Sequence, residues 1–186
     1  SAGKTTFFNV LTGAYTAEEG EIVFNGTELP AGKPHLVVEA GIARTFQNIR
    51  LFAAMTALEN LIVAQHNRLM KASGYSVMGL LGLGLYRQAE REAIDLAKFW
   101  LDRTGLTAKA DWNAGSLPYG DQRKLEIARA MCTQPLLLCL DEPAAGLNPR
   151  ETADLSQLLL GIREEQGLAI MLIEHDMGMV MRISDH

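Results

Sequence analysis

The sequence has few of the features that mark a membrane-spanning, disulfide-stabilised or nucleic-acid-binding chain. Its nearest approach to a membrane helix, residues 77–86, contains three glycines and falls short of the ~18 uninterrupted apolar residues required. Only two cysteines occur among 186 residues, which excludes a disulfide framework and favours a reducing compartment. With 17 Lys and Arg against 22 Asp and Glu, the net charge is −5, which argues against a nucleic-acid partner.

What is present is enough apolar sequence for a core and a pattern of alternating helices and strands. Apolar residues make up 48% of the chain, so one folded domain, with or without a subdomain, is expected. Helical periodicity predicts helices over 3–11, 57–103 (interrupted near 73–84), 121–131 and 149–166. Strand patterns cover 21–24, 41–46, 136–140 and 168–173. Because two of these strands are apolar throughout, we expect a parallel sheet covered on both faces.

The first six residues, Ser1-Ala2-Gly3-Lys4-Thr5-Thr6, match the second half of a phosphate-binding loop of the form G-x-x-x-x-G-K-[ST]. Gly3 lets the backbone approach a phosphate, and the amides at the start of the helix point at the anion. Lys4 supplies a mobile charge for the β- and γ-phosphates, and Thr5 offers a hydroxyl to Mg²⁺. An ordinary helix N-terminus is the alternative that these residues alone leave open.

A predicted buried strand ends in two adjacent carboxylates, Asp141 and Glu142. Two like charges side by side at a sheet edge repel each other, so a purely structural role is disfavoured. Beside a phosphate loop the pair has a chemical purpose. Asp141 would hold Mg²⁺ through water, and Glu142 would act as a base for the attacking water.

Two further segments, 117–130 and 173–176, complete a set of motifs that resembles the ATP-binding subunits of ABC transporters. The resemblance covers essentially the whole chain in the right order. It implies an α/β fold, namely a P-loop NTPase (RecA-like) core with a parallel sheet and an inserted α-helical subdomain. We expect the core to comprise 1–54 and 116–186, and the helical subdomain to comprise 55–115. The first glycine of the loop would precede Ser1, so we also expect a chain shortened at both ends that by itself binds ATP weakly.

Three stretches, 44–52, 118–123 and 141–149, are more narrowly similar to the ATPase subunits of branched-chain amino acid importers. The Gly- and Leu-rich insert at 73–85 resembles the first of the two ATPase subunits in such systems. Coupling of ATP hydrolysis to branched-chain amino acid uptake is therefore implied by resemblance, since no residue of this chain would touch the amino acid.

The resemblance also implies partners and further site residues. Gln47 would sense Mg²⁺, and His175 would hold the γ-phosphate and the attacking water. Two ATPase subunits, identical or different, would pair head to tail, so that the Tyr119-Gly120-Asp121 segment of one faces the ATP of the other. Transmembrane permease subunits would be direct partners and a periplasmic solute-binding protein an indirect one, with the chain on the cytoplasmic side of the inner membrane.

The sequence departs from the family pattern in its Leu-Ser-Gly-Gly-Gln signature. Pro118 replaces the serine and removes a hydroxyl and a backbone donor. Tyr119 stands at the first glycine and Asp121 at the glutamine, and the added negative charge predicts a weaker grip on the γ-phosphate. Asn148 occupies a position where the dimer-contacting loop usually has aspartate.

Other readings remain open at this point. The chain could serve another ABC system, such as lipopolysaccharide export or urea and amide import, or it could bind nucleotide without hydrolysing it. A DNA-repair or chromosome-organising ATPase is disfavoured because the insert after Gln47 is too short for a long coiled coil. His35 and His66 are expected at the surface, Cys132 and Cys139 in the core, and Trp100 and Trp112 in packing positions. Phe52 and Met55 are expected either in the core or along a groove for a partner helix.

Overall fold

The computed structural model describes residues 2–16, 19–66, 69 and 83–184. The strands of this part of the chain are β1 (Val23–Phe24), β2 (Thr27–Glu28), β3 (Ile42–Arg44), β4 (Leu137–Asp141) and β5 (Ala169–Ile173). Its helices are α1 (Ala2–Leu11), α2 (Pro34–Glu39), α3 (Ala57–Val63), α4 (Leu83–Arg103), α5 (Tyr119–Met131), α6 (Pro149–Gln166) and α7 (Met177–Ile183). None of the helices described here is long and apolar enough to cross a membrane.

The chain divides into two compact units. The first unit comprises 1–49 and 134–186, and the second unit comprises 50–133. The second unit is longer than the predicted helical subdomain, 55–115. Most of the additional residues form the segment 116–133, which contains α5. In the second unit α5 packs against α3 and α4, because its buried positions include Leu125, Ile127 and Ala128. The division of the protein into a core and a helical subdomain stays a prediction.

A parallel sheet forms the centre of the first unit, in the order β3-β4-β5. All five residues of β4 are buried, as the unbroken apolar run predicts for a strand covered on both faces. The register sets Arg44 opposite Cys139 and Asp141 opposite Ile173. The residues that follow β4 and β5 therefore leave the sheet at the same edge, where parallel strands place their carboxyl ends.

The core of the first unit packs α1, α2 and the β1–β2 hairpin against this sheet; its buried members are Phe8, Leu11, Leu29, Val37, Ile42, Leu137, Cys139 and Ile173. The hairpin turns at Asn25 and Gly26, both with positive φ, as the Asn-Gly dipeptide predicts. The apolar residues of the predicted helix 3–11, Phe7, Phe8, Val10 and Leu11, are expected on its inner side. For Phe7 this prediction is wrong, because Phe7 is 56% exposed whereas Phe8 is buried. Successive helical residues lie about 100° apart, so α1 can bury only one of the two.

The second unit has its own core of helix-borne side chains, including Leu61, Ala97, Trp100 and Leu125. Gln65, two residues after the end of α3, donates from Nε2 to the carbonyl oxygen of Ala93 in α4, 2.8 Å away. The prediction that Trp100 is a packing residue is confirmed, but the same prediction for Trp112 is wrong, because Trp112 is 50% exposed. The predicted interruption of this helical region, at 73–84, lies almost wholly outside the described residues.

Candidate functional site

The predicted phosphate-binding residues lie at the start of α1. Gly3, Lys4 and Thr6 are exposed on the first turns of this helix. Ser1 and the side chain of Thr5 lie outside the described residues, so the expected hydroxyl ligand of Mg²⁺ stays a prediction. The first backbone amides of a helix that starts at Ala2 point out of its N-terminal end, where an anion can accept their hydrogen bonds. This direction fits the expected contact with a phosphate.

The structure brings three predicted site residues together around the carboxylate of Glu142. Gln47 donates from Nε2 to Oε2 of Glu142 at 2.8 Å. His175 places Nε2 3.3 Å from Oε1 of the same carboxylate. The Glu142 side chain keeps 24% of its surface exposed and His175 keeps 59%. We call these three residues the Glu142 cluster; a partly exposed carboxylate held at both oxygens is suitably placed to orient a water molecule.

The backbone at Glu142 adopts a left-handed conformation, with φ of 47°. A residue with a branched or long side chain pays about 1–3 kcal/mol for such a conformation, and strain of this kind concentrates at functional sites. Two hydrogen bonds hold the turn: the Glu142 amide donates to Ile173 O at 2.8 Å, and the Ala145 amide donates to Glu142 O at 3.1 Å. The chain therefore turns directly after β4, at the residue that carries the partly exposed carboxylate.

Sequence reasoning missed Glu174, which fastens the loop after β4 to the loop after β5. Its Oε1 accepts the amide of Ala144 at 2.8 Å, and its Oε2 accepts the amides of His175 and Asp176 at 2.8 and 3.2 Å. Asp176 in turn caps α7 by accepting the amide of Met179 at 2.9 Å. Glu174 thus fixes the backbone that carries His175, and its acidic type beside His175 was the only hint in the sequence.

Sequence reasoning also missed Arg44, which binds the carboxylate of Asp141. The two groups are 3.0 Å apart, and their side chains are only 7% and 6% exposed. The same guanidinium donates to Asn9 Oδ1 at 2.6 Å and to Thr12 Oγ1 at 3.0 Å on and just after α1. An arginine inside the predicted short strand 41–46 was the available sign of a buried ion pair.

Two aromatic rings enclose the Arg44 guanidinium. Its central carbon lies 5.5 Å from the centroid of Phe8 and 4.9 Å from that of Phe46, distances typical of cation–π contact. Phe46 immediately precedes Gln47 of the Glu142 cluster. Arg44 therefore links the helix of the phosphate loop, the end of β4 and the Gln47 loop.

The predicted signature residues belong to the second unit, at the start of α5. Tyr119 is 44% exposed, Gly120 is buried, and Asp121 accepts a contact from Lys109 at 2.5 Å. The N-cap residue Pro118 supplies no side-chain hydrogen bond to the first amides of the helix. The structure thus confirms a helix start at this segment, two residues earlier than the periodicity predicts.

Behind this helix start lies a buried charged pair that the sequence analysis did not single out. Arg123 is fully buried and donates from Nη1 to Oε2 of Glu126 at 2.9 Å and from Nη2 to the Tyr119 hydroxyl at 3.1 Å. Oε1 of Glu126 accepts the amide of Arg50 at 3.2 Å. The spacing of three residues between Arg123 and Glu126 was a recognisable sign of this pair.

Several isolated residues behave as expected. His35 and His66 are exposed, and both cysteines are buried. Phe52 is 50% exposed and Met55 is 37% exposed. Neither residue is therefore in the core, which was one of the two placements expected for them. Within the described residues, no group of three or more His, Cys, Asp or Glu side chains is arranged to hold a metal ion.

Comparison with known proteins gives a consistent result. The sequence profile of the family described as ABC transporter matches residues 1–145. The high-affinity branched-chain amino acid transport ATP-binding protein BraF of Pseudomonas aeruginosa is 51% identical over 185 residues, covering 100% of this chain and 71% of that protein. Its counterpart LivG of Escherichia coli strain K12 is 50% identical over 184 residues, covering 99% of this chain and 71% of that protein.

Among solved structures, the ADP conformation of MJ1267, an ATP-binding cassette of an ABC transporter, superposes with a TM-score of 0.80. Its sequence is 31% identical, and the match covers 99% of this chain and 70% of that chain. The predicted α/β fold with a parallel sheet is confirmed by this likeness and by the β3-β4-β5 sheet itself.

Proposed function

Because the chain belongs to the ABC transporter family, we propose that it is the ATP-hydrolysing subunit of an importer and that it powers uptake of branched-chain amino acids. The family resemblance inferred from segments 117–130 and 173–176 is confirmed by the profile match and by relatives about half identical along the whole chain. The names of those relatives support the amino acid substrate. The observation that carries the catalytic part is the Glu142 cluster.

In this proposal Glu142 is the general base of ATP hydrolysis. Its carboxylate follows a buried strand, keeps part of its surface exposed, and has both oxygens positioned by Gln47 and His175. Such a group can take the proton of a water molecule as that water attacks the γ-phosphorus. His175 holds the carboxylate from its other side and, being exposed, can turn its ring toward the phosphate.

Lys4, Gly3 and the first amides of α1 would bind the β- and γ-phosphates, together with Ser1, Ala2, Thr5 and Thr6 of the same loop. Lys4 is exposed on the first turn of α1, where its flexible chain can follow a phosphate. The positive end of the ten-residue helix adds attraction for the anion. These groups bind and orient the nucleotide and stabilise the negative charge of the transition state.

The available oxygen groups fit a Mg²⁺ ion. Asp141 carries a carboxylate and Gln47 an amide oxygen, and Mg²⁺ prefers such hard ligands while taking most of its remaining coordination from water and substrate phosphates. Thr5 would add a hydroxyl. When bound, the ion would neutralise charge on the β- and γ-phosphates. Arg44 holds Asp141 in place at the end of β4, so the carboxylate is oriented before any ion arrives.

The second half of the nucleotide site would come from another ATPase subunit placed head to tail. The start of α5, with Tyr119, Gly120 and Asp121, would face the γ-phosphate held by the partner's first unit. Transmembrane permease subunits would receive the resulting motion at the cytoplasmic face of the inner membrane, and a periplasmic solute-binding protein would deliver the amino acid. We further propose that 55–115 serves as the helical subdomain of the ATPase.

Replacing Glu142 by Gln tests this function. Glu142→Gln keeps the shape and one acceptor oxygen but removes the basicity, so ATP binding should persist while turnover falls by roughly two to four orders of magnitude. Nucleotide titration calorimetry and steady-state phosphate release on the intact ATPase subunit would measure the two quantities. Glu164→Gln, at an exposed position of α6, is the matched control and should hydrolyse ATP at the wild-type rate. Near-normal hydrolysis by Glu142→Gln would contradict the assignment.

The transport part has a separate test. Reconstitution of the chain with its membrane partners should give ATP-dependent uptake of leucine, isoleucine and valine into vesicles. The Glu142→Gln complex should bind ATP and show no sustained uptake. Uptake of an unrelated solute in place of these amino acids would contradict the substrate while leaving the ATPase assignment intact.

A further inference from the structure

Lys109 lies outside every motif that the sequence analysis singles out, yet its ammonium contacts the acidic residue in the first turn of α5. Nζ of Lys109 lies 2.5 Å from Oδ2 of Asp121. The indole ring of Trp112 also lies near this ammonium, with its centroid 5.8 Å from Nζ. The side chains of Lys109 and Asp121 are 33% and 20% exposed. The pair therefore lies at the surface of the second unit, beside the helix start.

The backbone fixes Lys109 at this place. The residue ends a short 3₁₀ turn, Thr107–Lys109, in which its amide donates to Leu106 O at 2.9 Å. Its carbonyl oxygen accepts the amide of Trp112 at 3.0 Å. Since hydrogen bonds hold the chain on both sides of Lys109, the lysine is anchored near Asp121 and does not project from a free loop.

The contact changes the electrostatics of the start of α5. A helix N-terminus carries a partial positive charge and attracts anions, and Pro118 places no side-chain acceptor over the first amides. A carboxylate in the first turn would cancel that attraction. Because the Lys109 ammonium lies against the Asp121 carboxylate, the two charges offset each other and the helix end keeps its attraction for an anion.

We propose that Lys109 is a positioning residue for the contact between ATPase subunits: it neutralises Asp121, so that the start of α5 in one copy can bind the γ-phosphate held by the other. This inference rests on the proposed function, in which that helix start faces the partner's nucleotide. Lys109 itself does not contact the nucleotide. Asp121 alone is expected to weaken binding of the γ-phosphate, and Lys109, twelve positions earlier in the chain, offsets this effect.

Nucleotide-dependent dimerisation tests the proposal. The full chain is titrated with the non-hydrolysable analogue AMP-PNP and Mg²⁺ at low ionic strength, and the dimer fraction is followed by light scattering. Lys109→Met leaves the Asp121 charge uncompensated near the phosphate, and the analogue concentration for half-maximal dimer should rise about three- to tenfold. Lys109→Arg keeps the charge and should dimerise like the wild type.

The double variant Lys109→Met/Asp121→Asn separates charge compensation from a general loss of structure. Removing both charges should return the half-maximal concentration to within about twofold of the wild type, because no net charge then remains at the helix start. Lys98→Met removes a positive charge from an exposed position of α4 in the same unit and should leave dimerisation unchanged.

Ionic strength provides a readout that a merely structural role would not move. The defect of Lys109→Met should shrink as NaCl is raised to ~0.5 M, because the Debye length falls below the distance over which an uncompensated charge acts. A wild-type-like titration of Lys109→Met, a double variant that remains defective, or a defect independent of salt would each overturn the inference. If the wild type itself does not dimerise with AMP-PNP, this inference fails, whereas the proposed ATPase function is judged separately by the loss of turnover in Glu142→Gln.

Discussion

Burial determines the chemistry of the two cysteine thiols. Cys132 and Cys139 are 3% and 0% exposed, and burial raises the pKa of each thiol to about 12. For Cys139 the positive charge of Arg44 acts in the opposite direction but is the smaller effect. Both thiols are therefore protonated at neutral pH in the folded protein, and the prediction that they are small buried apolar groups is confirmed.

These thiols predict how stability depends on alkaline pH. In the unfolded chain they ionise near their ordinary pKa of 9.0, so between pH 9 and 12 the folded state binds more protons and the free energy of unfolding decreases. The loss is about 1.4 kcal/mol per pH unit for each thiol. Urea denaturation at pH 8 to 11 should show a steeper decline for the wild type than for Cys132→Ala/Cys139→Ala. Parallel declines would show that the thiols ionise as readily in the folded protein.

Local sequence determines the ends of α6. Asn148 caps the helix by accepting the amides of Arg150 and Glu151, both at 3.0 Å, and Glu151 accepts the Asn148 amide at 2.9 Å. Pro149 occupies the first helical position, and Gly167 ends the helix with φ of 61°. Pro is favoured at the first helical position, where its missing amide hydrogen costs no hydrogen bond, and Gly is favoured after the last one, where φ is positive. The prediction of 149–166 therefore agrees with the structure at both ends.

The cap predicts the cost of removing the Asn148 side chain. Asn148→Ala leaves two amides without their side-chain acceptor and should lower the free energy of unfolding by about 1 kcal/mol. Asn148→Asp keeps an acceptor at the same position and should be close to the wild type. Denaturant titrations of the three proteins would measure these differences. Equal losses in both variants would contradict the capping role, because Asn148→Asp retains the oxygen acceptor that Asn148→Ala removes.

At the scale of the whole molecule, Arg44 joins the elements of the first unit. Arg44 is the last residue of β3, and its guanidinium is buried. The guanidinium donates hydrogen bonds to residues on α1 and just after it, and it forms an ion pair with the last residue of β4. Each of these segments carries part of the candidate site. The stability of the unit and the geometry of the site therefore depend on the same buried ion pair.

The buried pair predicts an unequal response to one and to two substitutions. Arg44→Met leaves the buried Asp141 carboxylate without its counter-ion and should lower the free energy of unfolding by about 3–5 kcal/mol. Arg44→Met/Asp141→Asn removes the buried charge as well and should recover part of that loss. Arg182→Met, at an exposed position of α7, is the control and should stay within about 0.5 kcal/mol of the wild type. Denaturant unfolding curves would measure the free energy of unfolding of each variant. If the double variant were no more stable than Arg44→Met, the unpaired Asp141 charge would not be the cause of the loss.

The order and type of the main elements could be predicted from the sequence because local patterns specify them. The unbroken apolar run of β4, the Asn-Gly turn and the Pro and Gly at the ends of α6 each act over a few residues. The phosphate-loop residues and the paired carboxylates were also predictable, since these motifs require particular residue types at fixed spacing, whereas Gln47 and His175 were identified through the resemblance to a known family. Of these, the structure assembles Gln47, Glu142 and His175 into one cluster.

Tertiary structure decided what depends on neighbours distant in the chain. Arg44 and Asp141 are 97 residues apart in sequence, and no local sequence pattern predicts that these two buried charges will pair with each other. Lys109 pairs with Asp121 only because a 3₁₀ turn ends beside α5. Likewise, helical periodicity limits how many aromatic residues α1 can bury, but only packing against the sheet selects Phe8 over Phe7. Charge compensation and side-chain burial are set by what surrounds a residue in space, whereas helix ends, turns and strand type are set by the residues next to it in the chain.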